Sequence, residues 1–308
     1  MSARPEPILP SWERASLPGS AIHLAIVRIV FGAYMMKVFL SPVYPLLAQL
    51  GGRLPTARSL LPIGVEQIVA ANLFEFTLVA AVAALLMCIG LFTRVMSVIV
   101  FVLFLLTQAV YWRGTLFHDD WVYFTAILLI LALAPTGDAL SMDSLLKRRR
   151  RARDSRDYRW PIELCVSWFG AVYVFAGLAK MFPLHKGFTS WLTGERIQEF
   201  ARDFVLDSPW VWMTGHTIIS YDALWFFAFA ALATVIVEIG AISIIVTDRL
   251  RWLLLGSILA FHVGIWWMGV PNFIITASVG LVLFFRPWWF SDYGVFEGEA
   301  EVDPEPNG

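Results

Sequence analysis

The stretch YVFAGLAK, residues 173–180, closes a long apolar run and ends it with a lysine. An ionisable group inside or at the edge of a membrane span is costly unless it meets water, a partner or a substrate. On a helix, Tyr173, Gly177 and Lys180 share one face because they are spaced i, i+4, i+7. The small residues Ala176 and Gly177 let another group approach this face closely. The stretch therefore predicts one wall of a binding pocket.

The composition is typical of an integral membrane protein. Hydrophobic residues make up 58% of the 308 residues and charged residues 15%, against about 45–50% and 25% in soluble domains. The sequence predicts an all-α bundle of about eight transmembrane helices, since each needs about 20 apolar residues. Cys88 and Cys165 lie in apolar runs without a CxxC pattern, which predicts free buried thiols without a redox role.

The predicted spans follow the apolar runs of the chain. Their limits are residues 21–40, 72–92, 95–112, 116–134, 161–182, 221–246, 252–268 and 272–289. The transmembrane domain is therefore expected to cover residues 21–290. A cytoplasmic segment, residues 1–20, precedes it, and an acidic tail that is expected to be disordered, residues 291–308, follows it.

The heaviest block of basic residues lies at 147–153, inside a predicted loop at 136–160. Lys and Arg concentrate in cytoplasmic loops, so this loop and both termini are predicted to face the cytoplasm. A lipid-headgroup or nucleic-acid patch is the alternative interpretation, but a topology signal is the commoner meaning beside a span. The loop at 183–220 then lies outside, where apolar spacing from Thr193 to Phe204 predicts an amphipathic helix on the membrane face.

Ionisable residues from four predicted spans converge on the outer side under this topology. They are Lys37, then His118 with Asp119 and Asp120, then Lys180, and finally His262. His118 is expected at a helix N-terminus, where the neighbouring aspartates complement the helix dipole and hold one imidazole tautomer. The coincidence predicts a functional site on that side.

Each of these residues also has a structural interpretation. Lys180 could extend to the lipid headgroups, as lysines near the ends of spans commonly do. His118 could cap a helix without taking part in chemistry, and His262 could hydrogen-bond to a neighbouring helix. Arg28 and Glu238 lie deeper in their spans, so a structural ion pair or polar clamp is favoured over catalysis for both.

Sequence motifs for other kinds of chemistry are missing. The chain has no HExxH, GxSxG, Walker or GxGxxG pattern. Its five histidines have no paired carboxylate or cysteine spacing, so no metal site is predicted. No nucleic-acid partner is expected either.

Four segments, in this order, resemble the vitamin K-dependent gamma-glutamyl carboxylase, a member of the HTTM (horizontally transferred transmembrane) domain family. The segments are residues 24–32 with Arg28, residues 117–119 with His118, residues 175–181 with Lys180 and then Trp191 and Gly194, and residues 260–262 with His262. The resemblance covers most of residues 21–290. It implies the same helical membrane domain in this chain.

The resemblance implies a membrane enzyme that oxidises a quinol with oxygen to an epoxide. The strong base formed in that step would take a proton from an acceptor, whose carbanion would capture carbon dioxide. Lys180 would deprotonate reduced vitamin K or a related quinol, and His118 would hydrogen-bond to a quinone oxygen. Further residues are expected to line the quinone site, namely His262, Tyr173, Gly177, Asp119 and Trp191.

The chain departs from the carboxylase pattern at several positions. Ala179 replaces the first residue of the family's lysine pair, and Phe117 replaces the asparagine before its histidine. The large lumenal domain that binds protein substrates is not expected here, so the acceptor would be an unknown peptide or small molecule. The alternative function is a non-enzymatic transporter or partner-binding subunit. We expect the protein to lie among the lipids of a bacterial plasma membrane, with its site on the extracytoplasmic side.

Overall fold

The computed structural model is all-helical in the parts of the chain that it describes. These parts are residues 10–41, 62–111, 120–146, 155–181, 191–204, 224–247, 250–267 and 273–284. They contain α-helices, a short 3-10 helix at Ser155–Tyr158 and the turns between them, and no strand. The prediction of an all-α fold is confirmed for these residues.

The long helices follow the apolar runs of the sequence, and shorter helices lie between them. In chain order they are α1 (Ser11–Arg14), α2 (Ala21–Phe39), α3 (Ile63–Ala71), α4 (Leu73–Ile89), α5 (Thr93–Tyr111), α6 (Asp120–Leu133), α7 (Met142–Leu146), α8 (Arg159–Met181), α9 (Glu195–Phe204), α10 (Leu224–Gly240), α11 (Ile242–Val246), α12 (Arg251–Trp267) and α13 (Phe273–Phe284).

Helix α8 is the longest described helix, with 23 residues, and it lies at the centre of the bundle. It packs against α6, which belongs to the first half of the chain, and against α10, α11 and α13, which belong to the second. Its residues Val166, Phe169 and Tyr173 are buried in the main hydrophobic core. Helix α8 therefore connects the two halves of the bundle.

The two halves are each built from neighbouring helices. In the first half α2 packs on α4, α4 on α5 and α5 on α6. In the second half α10 packs on α12 and α12 on α13, and α13 also contacts α2. This last contact closes the bundle around α8.

Three helical segments among the described residues are long and apolar enough to cross a membrane. They are Ala21–Phe39, Arg156–Met181 and Leu224–Val246. Four shorter apolar helices accompany them, at Leu73–Ile89, Thr93–Ala109, Tyr123–Leu133 and Arg251–Trp266. The protein is an integral membrane protein. Each predicted span overlaps a helix, while eight crossings and cytoplasmic termini stay predictions.

Arg28 lies in α2 and is fully buried. Its guanidinium donates hydrogen bonds to the main-chain oxygens of Thr136 at 2.6 Å, Ala139 at 3.3 Å and Leu140 at 2.5 Å. These three oxygens belong to the turn between α6 and α7, and the several N–H donors of one guanidinium can serve them together. Arg28 therefore ties the first long helix to that turn.

The amphipathic helix predicted between Thr193 and Phe204 is present as α9. Its apolar residues Ile197 and Ala201 are buried in a cluster with Phe227 of α10. This part of the apolar face of α9 therefore packs on protein, while the position of the helix on the membrane face stays a prediction. A neighbouring helix offers this face the same apolar contacts that the membrane interior would.

Several predicted features lie outside the described residues. They are the basic block at 147–153, the greater part of the loop at 183–220 and the tail at 291–308. The described part of the loop predicted at 136–160 consists of the turn after α6, the helix α7 and the residues from 155 onward. The cytoplasmic position of this loop stays a prediction.

Gly90 ends α4 in the left-handed conformation, with a φ of 74°. A Cβ atom there would lie 2.3 Å from the Cβ of Ser141, so Gly90→Ala must displace the turn after α6 as well as strain the backbone. We expect the variant in detergent to melt several degrees below the wild type, measured by circular dichroism.

The matched control for this prediction is Gly256→Ala on α12. No described atom lies within 4 Å of the Cβ position of Gly256, and alanine favours a helix over glycine by about 1 kcal/mol. This variant should melt at or above the wild-type temperature. An equal fall in melting temperature in the Gly90→Ala and Gly256→Ala variants would contradict the prediction.

Candidate functional site

Lys180 and Glu238 form an ion pair between α8 and α10. The ammonium nitrogen of Lys180 lies 2.6 Å from Oε1 and 2.7 Å from Oε2 of Glu238. The Lys180 side chain is 17% exposed and the Glu238 side chain 6% exposed. A charged pair so poorly hydrated is stable only while both partners are present.

The close approach of α8 and α10 brings this pair together. Gly177 lies on the α8 face that contacts α10, one turn before Lys180. A Cβ atom at Gly177 would lie 3.0 Å from side-chain atoms of Glu238 and of Ile239. Glycine therefore allows the two backbones to pack at a distance that lets the lysine reach the carboxylate.

Trp191 covers the same ammonium from another direction. Its ring centre lies 5.3 Å from the Lys180 nitrogen, which is within the range of a cation–π interaction. Lys180 also points back to the main-chain oxygen of Ala176, at 3.4 Å. The lysine therefore lies between a carboxylate and an indole.

Tyr173 and His262 form a second buried pair beside the first. The Tyr173 hydroxyl lies 2.7 Å from Nε2 of His262, which belongs to α12. Both residues are less than 5% exposed, and the Tyr173 ring packs against Phe169 and Tyr123. Tyr173 lies two turns before Lys180 on the same face of α8. The two pairs are therefore neighbours along that face.

We call Lys180, Glu238, Trp191, Tyr173 and His262 the Lys180 cluster. The cluster combines a cation, a carboxylate, a phenol, an imidazole and an indole, of which the carboxylate, the phenol and the imidazole belong to buried residues. Such a set can hydrogen-bond to the oxygens of a polar ring, stack on its face and exchange protons with it. These are the functions that a site for a small planar polar molecule needs.

The structure places most of the predicted site residues in this cluster. Tyr173, Lys180, Trp191 and His262 belong to it and Gly177 lies beside it, and their functional roles stay predictions. His118 and Asp119 lie outside the described residues.

Of the two residues that were predicted to be structural, one lies away from the cluster and one lies in it. Arg28 contacts the turn after α6. Glu238 was placed deeper in the membrane than Lys180 but contacts it directly. Lys180 is the second-last residue of α8 while Glu238 lies near the end of α10, so the axial offset of the two helices brings the residues to one level.

The described residues contain no group of three or more His, Cys, Asp or Glu side chains that could hold a metal ion. The cluster itself supplies one imidazole and one carboxylate. This donor set suits proton transfer and hydrogen bonding to an organic molecule.

Comparison with known proteins gives one family match. Residues 57–173 match the model of the family described as TQO small subunit DoxD, a membrane family. No curated protein and no solved structure matches the chain. The matched segment is less than half of the chain and includes Tyr173, but it ends before Lys180, Trp191, Glu238 and His262.

This match corrects the resemblance to the carboxylase. The segment matches DoxD and not the HTTM family, so the assignment to that family is wrong. The expectations that rested on it, namely vitamin K as the quinol, oxygen and carbon dioxide as co-substrates, an epoxide product and a peptide acceptor, have no support. A lysine near the end of a span and two histidine segments are too short to identify a membrane family.

Removing one partner of the Lys180–Glu238 pair should destabilise the protein strongly. Lys180→Met leaves a buried carboxylate without its cation, at a cost of about 3–5 kcal/mol. The double variant Lys180→Met/Glu238→Met should regain most of this loss, because two apolar side chains then replace two charges. Unfolding free energies in detergent measure the effect.

Lys37→Met is the matched control, because Lys37 is an exposed lysine in the last turn of α2. It should change the unfolding free energy little. The ion pair would be contradicted if the double variant had no higher unfolding free energy than the less stable of the two single variants. It would also be contradicted if Lys180→Met had the unfolding free energy of the wild type.

Proposed function

We propose that this protein is the membrane subunit of a quinone-linked oxidoreductase and that the Lys180 cluster binds the quinone head group. The observation that carries the proposal is that the largely buried Lys180–Glu238 pair and the buried Tyr173–His262 pair are neighbours on one face of α8. The matched family supports it, because that family suggests a quinol-related role in a membrane.

The cluster has the groups that a quinone head group requires. A quinone is a flat ring with oxygen atoms on opposite sides, and it gains two electrons and two protons on reduction. The Tyr173 hydroxyl and the Lys180 ammonium can donate hydrogen bonds to these oxygens, and the Trp191 indole offers a ring face for stacking. The apolar surroundings suit the rest of the molecule.

The same groups can exchange the protons of the reaction. When a quinol is oxidised, two protons leave its oxygens and two electrons leave the ring. Glu238 and His262 are bases within the cluster that can accept protons, and Lys180 stabilises the negative charge of a quinol oxygen that has lost its proton. The electrons pass to a redox group that we assign to a partner subunit, in keeping with the small-subunit description of the matched family.

A purely structural role is the second candidate. The two charges of the Lys180–Glu238 pair satisfy each other, and the Tyr173–His262 pair does the same with its hydrogen bond. A transporter or partner-binding subunit could use these pairs only to fix the packing of α8, α10 and α12. A binding measurement separates this candidate from the first, since a structural pair has no effect on quinone affinity once the fold is kept.

We further propose that the cluster faces the extracytoplasmic side. The basic block at 147–153 precedes α8 along the chain, and Lys180 lies at the opposite end of that helix. Basic blocks beside spans mark the cytoplasmic side. Periplasmic or external quinone chemistry would then occur on the far side of the membrane from the block.

Quinone binding should depend on the Lys180 cluster. The experiment titrates decylubiquinone and a short-chain menaquinone into the purified protein in nanodiscs, by isothermal titration calorimetry. The Lys180→Met/Glu238→Met variant, which keeps the pair electrically balanced, should bind more than tenfold more weakly. The Lys37→Met variant should bind like the wild type. Equal affinity in a folded double variant would favour the structural role.

The Tyr173 hydroxyl should contribute to the affinity by itself. Tyr173→Phe keeps the ring and its packing but removes one hydrogen bond, which is worth about 0.5–1.5 kcal/mol, so the affinity should fall about two- to twelvefold. The same titration measures it. Tyr34→Phe is the control, because Tyr34 stacks on Phe124 in the first half of the bundle. A larger loss for Tyr34→Phe than for Tyr173→Phe would contradict the position of the site.

A further inference from the structure

A turn at residues 191–194 joins the Lys180 cluster to the start of α9. The N–H group of Gly194 donates a hydrogen bond to the main-chain oxygen of Trp191 at 3.1 Å, and the N–H group of Gln198 donates one to the main-chain oxygen of Gly194 at 3.0 Å. Gly194 therefore closes the turn that carries Trp191 and is the residue from which α9 begins. We call residues 191–194 the Trp191 turn.

Gly194 lies directly on the backbone of α10. It is buried and its φ is 81°, in the left-handed region that favours glycine. A Cβ atom there would lie 2.3 Å from the main-chain nitrogen of Ala228 and 2.6 Å from the carbonyl carbon of Phe227. Both are main-chain atoms of a helix, so neither can move aside alone as the end of a flexible side chain can. Any larger residue must lift the Trp191 turn away from α10 or displace α10.

A small apolar cluster holds the helix after the turn on α10. Its members are Ile197 and Ala201 of α9 and Phe227 and Ala231 of α10, with Trp191 packed against them. This cluster shares no residue with the main hydrophobic core of the described chain. A segment that is attached through few buried apolar contacts opens more easily than the core does. The position of Trp191 therefore depends on a local contact.

One face of α10 carries both this apolar cluster and the partner of Lys180. Phe227, Ala231 and Glu238 are spaced i, i+4 and i+11, which places them on one side of the helix. The rise from Ala231 to Glu238 is about 10 Å at 1.5 Å per residue. The Trp191 ring joins the two levels, since it packs on the apolar cluster and its centre lies 5.3 Å from the Lys180 nitrogen. The contact of α9 with α10 thus fixes the ring relative to the ion pair.

We infer that Gly194 is a positioning residue of the Lys180 cluster, which acts by holding Trp191 over the ammonium. With glycine the turn rests against α10 and the indole covers Lys180, whose side chain is 17% exposed. With a larger residue the turn is lifted, and the same ammonium becomes more accessible to water. The inference rests on the proposed function only where a ligand is concerned, because a quinone that stacks on Trp191 needs the ring in this place.

The experiment measures how fast N-hydroxysuccinimidyl acetate acetylates Lys180 in the full chain, in nanodiscs without quinone, by mass spectrometry of the peptides. Gly194→Ala should raise the rate at Lys180 several-fold, and Trp191→Leu should raise it similarly. The double variant Gly194→Ala/Trp191→Leu should react no faster than Trp191→Leu, because Gly194 acts through the indole. Lys37, an exposed lysine of α2, is the internal reference and should react at a constant rate.

Gly256→Ala is the matched control, because no described atom lies within 4 Å of the Cβ position at that glycine. It should leave the acetylation rate of Lys180 unchanged. A wild-type rate at Lys180 in the folded Gly194→Ala variant would overturn the inference, and so would a double variant that reacts faster than Trp191→Leu. An equal rise at Lys37 and Lys180 would show a general loosening of the fold and would also overturn it.

A second variant applies if Gly194→Ala does not fold. Ile197→Ala removes an apolar contact between α9 and α10 without adding an atom. It should also raise the acetylation rate of Lys180 and leave that of Lys37 unchanged. An unchanged rate at Lys180 in this variant would overturn the inference.

The calorimetric titration with quinone, applied to Gly194→Ala, separates this inference from the proposed function. Faster acetylation of Lys180 together with weaker quinone binding supports both. Faster acetylation with wild-type quinone affinity supports the role of Gly194 in positioning Trp191 and contradicts the stacking of a quinone on that ring.

Discussion

A largely buried lysine and a buried glutamate in an apolar bundle are stable when they neutralise each other, and this constraint favours the observed placement of α8 and α10. The Lys180–Glu238 pair requires a close helix contact, which Gly177 permits, and a particular axial offset between the helices. The same offset brings Trp191 over the ammonium and leaves the Tyr173–His262 pair beside it. The site therefore results from the pairing of charges and not from any single motif.

The sequence predicted the long helices well because each follows a run of apolar residues, and the i, i+4, i+7 spacing placed Tyr173, Gly177 and Lys180 on one face. It did not predict the contact between Lys180 and Glu238. That contact depends on how far two helices are shifted along each other, and apolar periodicity carries no information about such a shift. The contact of Arg14 with Glu163 spans 149 positions and leaves no local pattern for the same reason.

The family resemblance failed for a different physical reason. Short segments with one lysine or one histidine occur wherever a membrane bundle needs a polar group at the end of a span. Their order along the chain reflects the order of the spans more than a shared chemistry. The match to DoxD extends over a continuous segment from before α3 into α8. Such a match compares the sequences of several consecutive helices together, so it carries more information than a few short segments do.

The Arg28 clamp has a consequence for the way in which the chain is made. The main-chain oxygens that receive its guanidinium lie 108 to 112 positions further along, so they are still unsynthesised when α2 first leaves the ribosome. A charged arginine in a membrane helix has an insertion cost of about 2.5–3.5 kcal/mol near the bilayer centre. The three hydrogen bonds that satisfy Arg28 can form only once the turn after α6 has been synthesised. The contact between α2 and this turn is therefore completed only after the helices between them have been made.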